Sequence, residues 1–108
     1  MSLMQITKAD YEQEIERFSG VVILDFTASW CGPCRMLTPI LEDLARELEG
    51  RAKVCKVDVD QDPELAQKFG VTNIPFVAFL KNGKLASSLV GLRDRQAFLD
   101  ILGEIEKS

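Results

Sequence analysis

Six residues in a row, Val21-Val22-Ile23-Leu24-Asp25-Phe26, hold five large apolar side chains and a single carboxylate. Side chains on a strand alternate between the two faces of a sheet, so a run without alternation is a strand covered on both faces. Such strands belong to parallel sheets, in which helical crossovers lie over each face. The rest of the chain supplies those helices. Leu37, Ile40, Leu41, Leu44 and Leu48 recur at helical spacing up to Gly50, with Pro39 expected to kink the helix. Phe98, Ile101, Leu102 and Ile105 form a second apolar stripe behind Asp94, a residue suited to cap it.

Shorter signals fill the gaps between these elements. Thr7 followed by Asp10 reads as a capped helix start, with Tyr11, Ile15 and Phe18 continuing one helix to Ser19-Gly20. Ala52 to Asp58 reads as a strand, and Asp62-Pro63 opens a short helix over Pro63 to Phe69 that stops at Gly70. Phe76 to Leu80 and Lys84 to Val90 flank Asn82-Gly83, the favoured type I′ hairpin sequence, and should pair antiparallel. Strands separated by helices, then a hairpin and a last helix, predict an α/β fold with a mixed sheet covered on both faces. There is no repeat, low-complexity tract or linker, so one domain is expected over residues 1–108.

The composition removes whole classes of chemistry. The chain has no His and three Cys among 108 residues, which excludes Cys-His and Ser-His catalysis and falls short of a Cys₄ zinc site. No metal is expected. A formal net charge of −4 provides no broad positive field for nucleic acid or an anionic membrane, so neither is an expected partner. The amino-terminal Met1-Ser2-Leu3-Met4-Gln5-Ile6-Thr7 lacks the basic and apolar regions of a secretory leader, and no apolar stretch is long enough to span a bilayer. A soluble cytoplasmic protein is expected, in which thiols are held reduced and a close cysteine pair is catalytic or metal-binding.

Cys31 and Cys34 are that pair, set between the end of the buried strand and the start of a helix. A helix N-terminus offers unpaired N–H groups and the positive end of the macrodipole, so Cys31 should be the thiolate nucleophile. Pro33 presets φ for the first turn and Gly32 lets another chain approach. Residues i and i+3 of a first turn lie near the Cα spacing that a disulfide needs, so the bond can close and reopen. Thiol-disulfide exchange follows: Cys31 attacks a partner disulfide and the more buried Cys34 displaces the partner. Asp25, buried in an apolar run, should have a raised pKa suited to taking the Cys34 proton, with Lys56 one strand over as its charge partner. The competing reading of Asp25 is a structural carboxylate held by hydrogen bonds. Cys55 reads as a small apolar core residue, and Trp30, directly before an exposed nucleophile, as part of a contact surface.

Trp30-Cys31-Gly32-Pro33-Cys34, preceded by Asp25-Phe26-Thr27-Ala28-Ser29, resembles the thioredoxin family. The likeness extends along the chain through Pro39, Asp58 to Pro63, Ile74-Pro75, Lys81-Asn82-Gly83 and Gly91. The resemblance implies a thioredoxin fold with a central mixed five-stranded sheet flanked by four helices. It implies a protein disulfide reductase with no bound cofactor, whose Cys31-Cys34 disulfide is recharged from NADPH through thioredoxin reductase. It also implies a cis Ile74-Pro75 bond and an apolar docking face for disulfide-containing client proteins, made of Trp30, Gly32, Pro33, Ile74, Pro75 and Gly91. Thr27, Asn73 and Phe76 depart from residues common in the family and bear on partner preference. An oxidase or isomerase on the same fold is disfavoured by Gly-Pro between the cysteines. A purely clamping role is disfavoured by the intact pair. A monomer is expected, because the strands read as internal to the sheet.

Overall fold

The computed structural model describes residues 3–108; Met1 and Ser2, which open the segment read above for a leader, lie outside the described residues. The elements run in the order β1 (Met4–Gln5), α1 (Lys8–Tyr11), a π-helical turn (Glu12–Glu16), β2 (Val21–Thr27), α2 (Gly32–Glu47), β3 (Ala52–Asp58), α3 (Pro63–Lys68), β4 (Phe76–Lys81), β5 (Lys84–Val90) and α4 (Arg95–Lys107). The strands form one mixed sheet in the order β1-β3-β2-β4-β5. β2 is central, parallel to β3 and antiparallel to β4, as a strand buried on both faces must be placed.

Alternation along β2 divides the core. Val21 and Ile23 pack with Leu37, Leu41 and Leu44 of α2 and with Phe98 and Leu102 of α4. Val22, Leu24 and Phe26 pack on the opposite face with Tyr11, Ile15 and Leu65. By the same alternation Asp25 faces the α2 side, at the end of β2 nearest the start of α2. Asn82 and Gly83 both have positive φ, 51° and 81°, as the expected hairpin turn requires. Asp62 and Asp94 cap α3 and α4 through the N–H groups of Leu65 and Ala97. α2 runs through Pro39 as one element.

Two expectations change. The single helix expected from Thr7 to Phe18 is a four-residue α-helix continued by a π-helical turn. The wider turn ends where the hairpin tip arrives: a Cβ on Gly83 would collide with the Glu16 carbonyl, so the two segments are fitted to each other. The strands are not all internal. β1, too short to show alternation, is one edge, and the largely exposed β5 is the other. Ala86 is the odd residue of a bulge, since Phe79 pairs with Ser87 and Leu80 with Leu85. A two-residue edge and a bulged edge are both poor templates for pairing with another sheet, which is why exposed edges are tolerable here.

Candidate active site

The cysteine pair sits where β2 ends and α2 begins. Cys31 is the N-cap of α2, and its Sγ accepts a hydrogen bond from the Cys34 N–H at 3.2 Å. A sulfur in that position receives the N–H groups and dipole that favour a thiolate. Cys31 and Cys34 are joined as a disulfide, with Cα atoms 5.2 Å apart. Cys34 is fully enclosed, whereas Cys31 keeps 5% of its surface open. The expected exposed nucleophile is thus mostly covered in the oxidised state, because Ala28, Val59 and Ile74 pack around the bridge.

The neighbouring loops supply the rest of the surface. The Ile74-Pro75 bond is cis, and the Ile74 carbonyl lies 4.0 Å from Cys31 Sγ. Gly91 donates its N–H to the Pro75 carbonyl at 2.8 Å, tying the end of β5 to this loop. Pro33 is exposed and Gly32 and Ile74 are half-buried, while Pro75 is buried and shapes the surface from beneath. Trp30 is 65% exposed, and its Nε1–H donates to Asp60 Oδ2 at 2.7 Å. Asp60 went unnoticed in the sequence; its only signal there is that an exposed indole N–H in a loop seeks an acceptor.

Asp25 is a buried charged residue of β2, on the face of the sheet that carries α2. It is 1% exposed, and neither carboxylate oxygen has a hydrogen-bond partner. No protein group supplies the hydrogen bonds that the structural reading of Asp25 calls for. Burial pushes its pKa up to about 7, partly offset by the positive charge of Lys56, its register partner on β3. Lys56 itself is half-buried and lines a small open pocket of about 180 Å³ with Thr27, Arg35, Thr38 and Asp58. Cys55 lies in the core on the other face, and burial pushes its thiol up to about 11. Among the described residues no group of three or more His, Cys, Asp or Glu side chains is arranged to hold a metal ion.

The sequence matches the thioredoxin family model over residues 2–104. It is 39% identical to proteins named thioredoxin from Staphylococcus aureus strains Mu50 and MW2, over 94% of this chain and 96% of theirs. The chain belongs to the thioredoxin family. Its five-stranded mixed sheet and four helices are the thioredoxin fold. A thioredoxin carries no bound cofactor; its redox centre is the cysteine pair, here Cys31-Cys34. The activity is dithiol-disulfide exchange: the dithiol gives two electrons to a disulfide-containing protein and closes its own bridge, and thioredoxin reductase restores the dithiol.

Proposed function

We propose that Cys31 attacks the client disulfide, that Cys34 resolves the mixed disulfide, and that Asp25 takes the Cys34 proton. The observation that carries this reading is the N-cap position of Cys31, with its sulfur bonded to the Cys34 N–H while Cys34 has no exposed surface. The Cys31 thiolate forms a bond to one client sulfur, and the other client sulfur leaves and is protonated. Cys34 then passes its proton to Asp25, attacks Cys31 Sγ and expels the second client thiolate, so two electrons have left the protein. A carboxyl with a pKa near 7 has the basicity for that transfer at neutral pH, and Lys56 steadies its charged form.

Trp30, Gly32, Pro33, Ile74, Pro75 and Gly91 form the client docking face in this reading. An extended client segment beside Cys31 would meet the Ile74 backbone as a strand meets a sheet edge. The reading also takes residues 1–108 as one domain, acting as a monomer in the cytoplasm without nucleic-acid or membrane partners. The short β1, the bulged β5 and the net charge of −4 support it. So does the reductant role, which requires a compartment that keeps thiols reduced.

Cys34→Ser tests the assignment. Incubated with intact, disulfide-bonded insulin, the reduced variant should accumulate a mixed disulfide that peptide mapping places on Cys31. A bond on Cys55, or none at all, would overturn it.

A further inference from the structure

We propose that Lys56 and Arg35 form a binding site for a small oxyanion of the phosphate or sulfate class, and that an anion held there takes the Lys56 charge away from Asp25. The inference rests on the proton-acceptor role proposed for Asp25 and adds a ligand that regulates it.

The site is the open pocket of about 180 Å³ between the end of β2, the start of α2 and β3, whose lining includes Thr27, Ser29, Arg35, Thr38, Lys56 and Asp58. That volume is well under the roughly 300–1,000 Å³ of sites for drug-sized ligands, so the occupant is small. Its chemistry follows from the charges. Alternation puts Asp25 and Thr27 of β2 and Lys56 and Asp58 of β3 on the face that carries α2, where Arg35 joins them. Among the described residues neither Lys56 nor Arg35 forms an ion pair.

The hydrogen bonds already made leave the pocket richer in donors than in acceptors. Arg35 Nη1 donates to the Ser29 carbonyl at 2.8 Å, which holds the guanidinium against the loop before the cysteines and keeps its other donors available. Asp58 is the one negative residue of the lining, and its Oδ1 is committed to the N–H groups of Asp60 at 2.9 Å and Gln61 at 3.3 Å. Thr38 spends its hydroxyl proton on the Cys34 carbonyl at 3.0 Å. An ammonium, a guanidinium edge and the Thr27 and Ser29 hydroxyls remain. A ligand that is all acceptor and negatively charged matches that set, with Arg35 supplying a fork of donors and Lys56 a point charge.

Occupancy reaches the redox centre through Lys56, whose charge partly offsets the burial that raises the Asp25 pKa. On this face the charged or titratable neighbours are Lys56 and Asp58 from β3 and Cys34 and Arg35 from α2, while β4 and α4 supply the apolar Val77, Phe98 and Leu102. An anion paired with the two cations cancels their field and adds its own negative charge, so Asp25 holds its proton to a higher pH. Less of the proposed acceptor is then ionised at neutral pH, and the resolving step slows.

Inorganic sulfate is the probe, because its charge is constant near neutral pH. Titrated into the oxidised full-length protein, in which neither Cys31 nor Cys34 titrates, it should shift the amide resonances of Thr27, Ser29 and Lys56 along saturable curves. Sodium chloride at equal ionic strength should not. Lys56→Met should weaken binding about tenfold, the size of one hydrogen bond to a charged group, and so should Arg35→Met. Asp58→Asn, which keeps an acceptor for the turn and removes the negative charge, should tighten it. With sulfate bound, the Asp25 carboxyl resonance should titrate at a higher pH, and in Lys56→Met sulfate should not move it. Shifts that do not saturate, that chloride reproduces, or that both Met variants retain would overturn the site. Binding that leaves the Asp25 titration in place would overturn the coupling. The pH profile of the resolving step, followed by stopped flow, should move upward together with the Asp25 titration. If the titration moves and the profile does not, the anion site stands and the acceptor role of Asp25 fails.

Discussion

Asp25 is costly to the fold, and the cost has a pH dependence. The unfolded chain releases this proton near pH 3.8, whereas the folded protein keeps it to about pH 7. Between those values the native state binds more protons than the unfolded state, so stability falls as pH rises through the window. The full difference, about 4 kcal/mol, is felt above pH 7 and is absent below pH 4. Asp25→Asn should therefore be more stable than the parent at pH 8, by about 1–3 kcal/mol because the buried amide is also unsatisfied, and should show little gain at pH 4. Urea unfolding at the two pH values checks this; an equal gain at both would show that the carboxyl does not titrate between them. The variant should also lose any inflection near pH 7 in the rate of the resolving step, measured by stopped flow. Asp25 was legible because one carboxylate stood in an apolar run. Asp60 was not, because an exposed Asp in an acidic turn looks like any other until the indole it holds has been placed.

At the scale of elements, the hairpin tip and the π-helical turn before β2 are a matched pair. Gly83 has φ +81°, and a Cβ there would enter the space of the Glu16 backbone carbonyl, which no rotamer change can clear. Gly70 has a similar φ of +67° but open space around it. Gly70→Ala should cost about 1 kcal/mol, from the left-handed backbone alone, and Gly83→Ala about 2–4 kcal/mol, from backbone and collision together. Denaturant midpoints with an unchanged m-value measure the difference, and equal costs would mean that the contact with Glu16 is soft. The Asn82-Gly83 turn was readable from two residues because its geometry is local. The π-helical turn was not, because the segment it is fitted against is a hairpin more than sixty residues away. β1 escaped for a related reason: two residues carry no period, and only pairing of Met4 and Gln5 with Cys55 and Lys56 makes them a strand. The edge position of β5 depends on sheet order, which a hairpin pattern does not specify.

At the scale of the molecule, the redox state and the fold are linked through a thermodynamic cycle. The bridge closes a loop of only four residues, and restricting the unfolded chain by a loop that short is worth about 2 kcal/mol in the chain-entropy account. The oxidised protein should therefore outlast the reduced one on heating, with a Tm about 8 °C higher for a domain of this size. Closing the cycle, the disulfide is more favourable in the folded chain than in the unfolded chain by the same amount. Folding thus makes the Cys31-Cys34 dithiol a stronger reductant, by about 40 mV, than the same two residues in an unfolded chain. Calorimetry of the oxidised and dithiothreitol-reduced protein, alongside glutathione titration of the native chain and of a peptide spanning residues 29–36, tests both sides of the cycle. A reduced form as stable as the oxidised one, with the native and peptide potentials equal, would place the reducing power in the local sequence rather than in the fold.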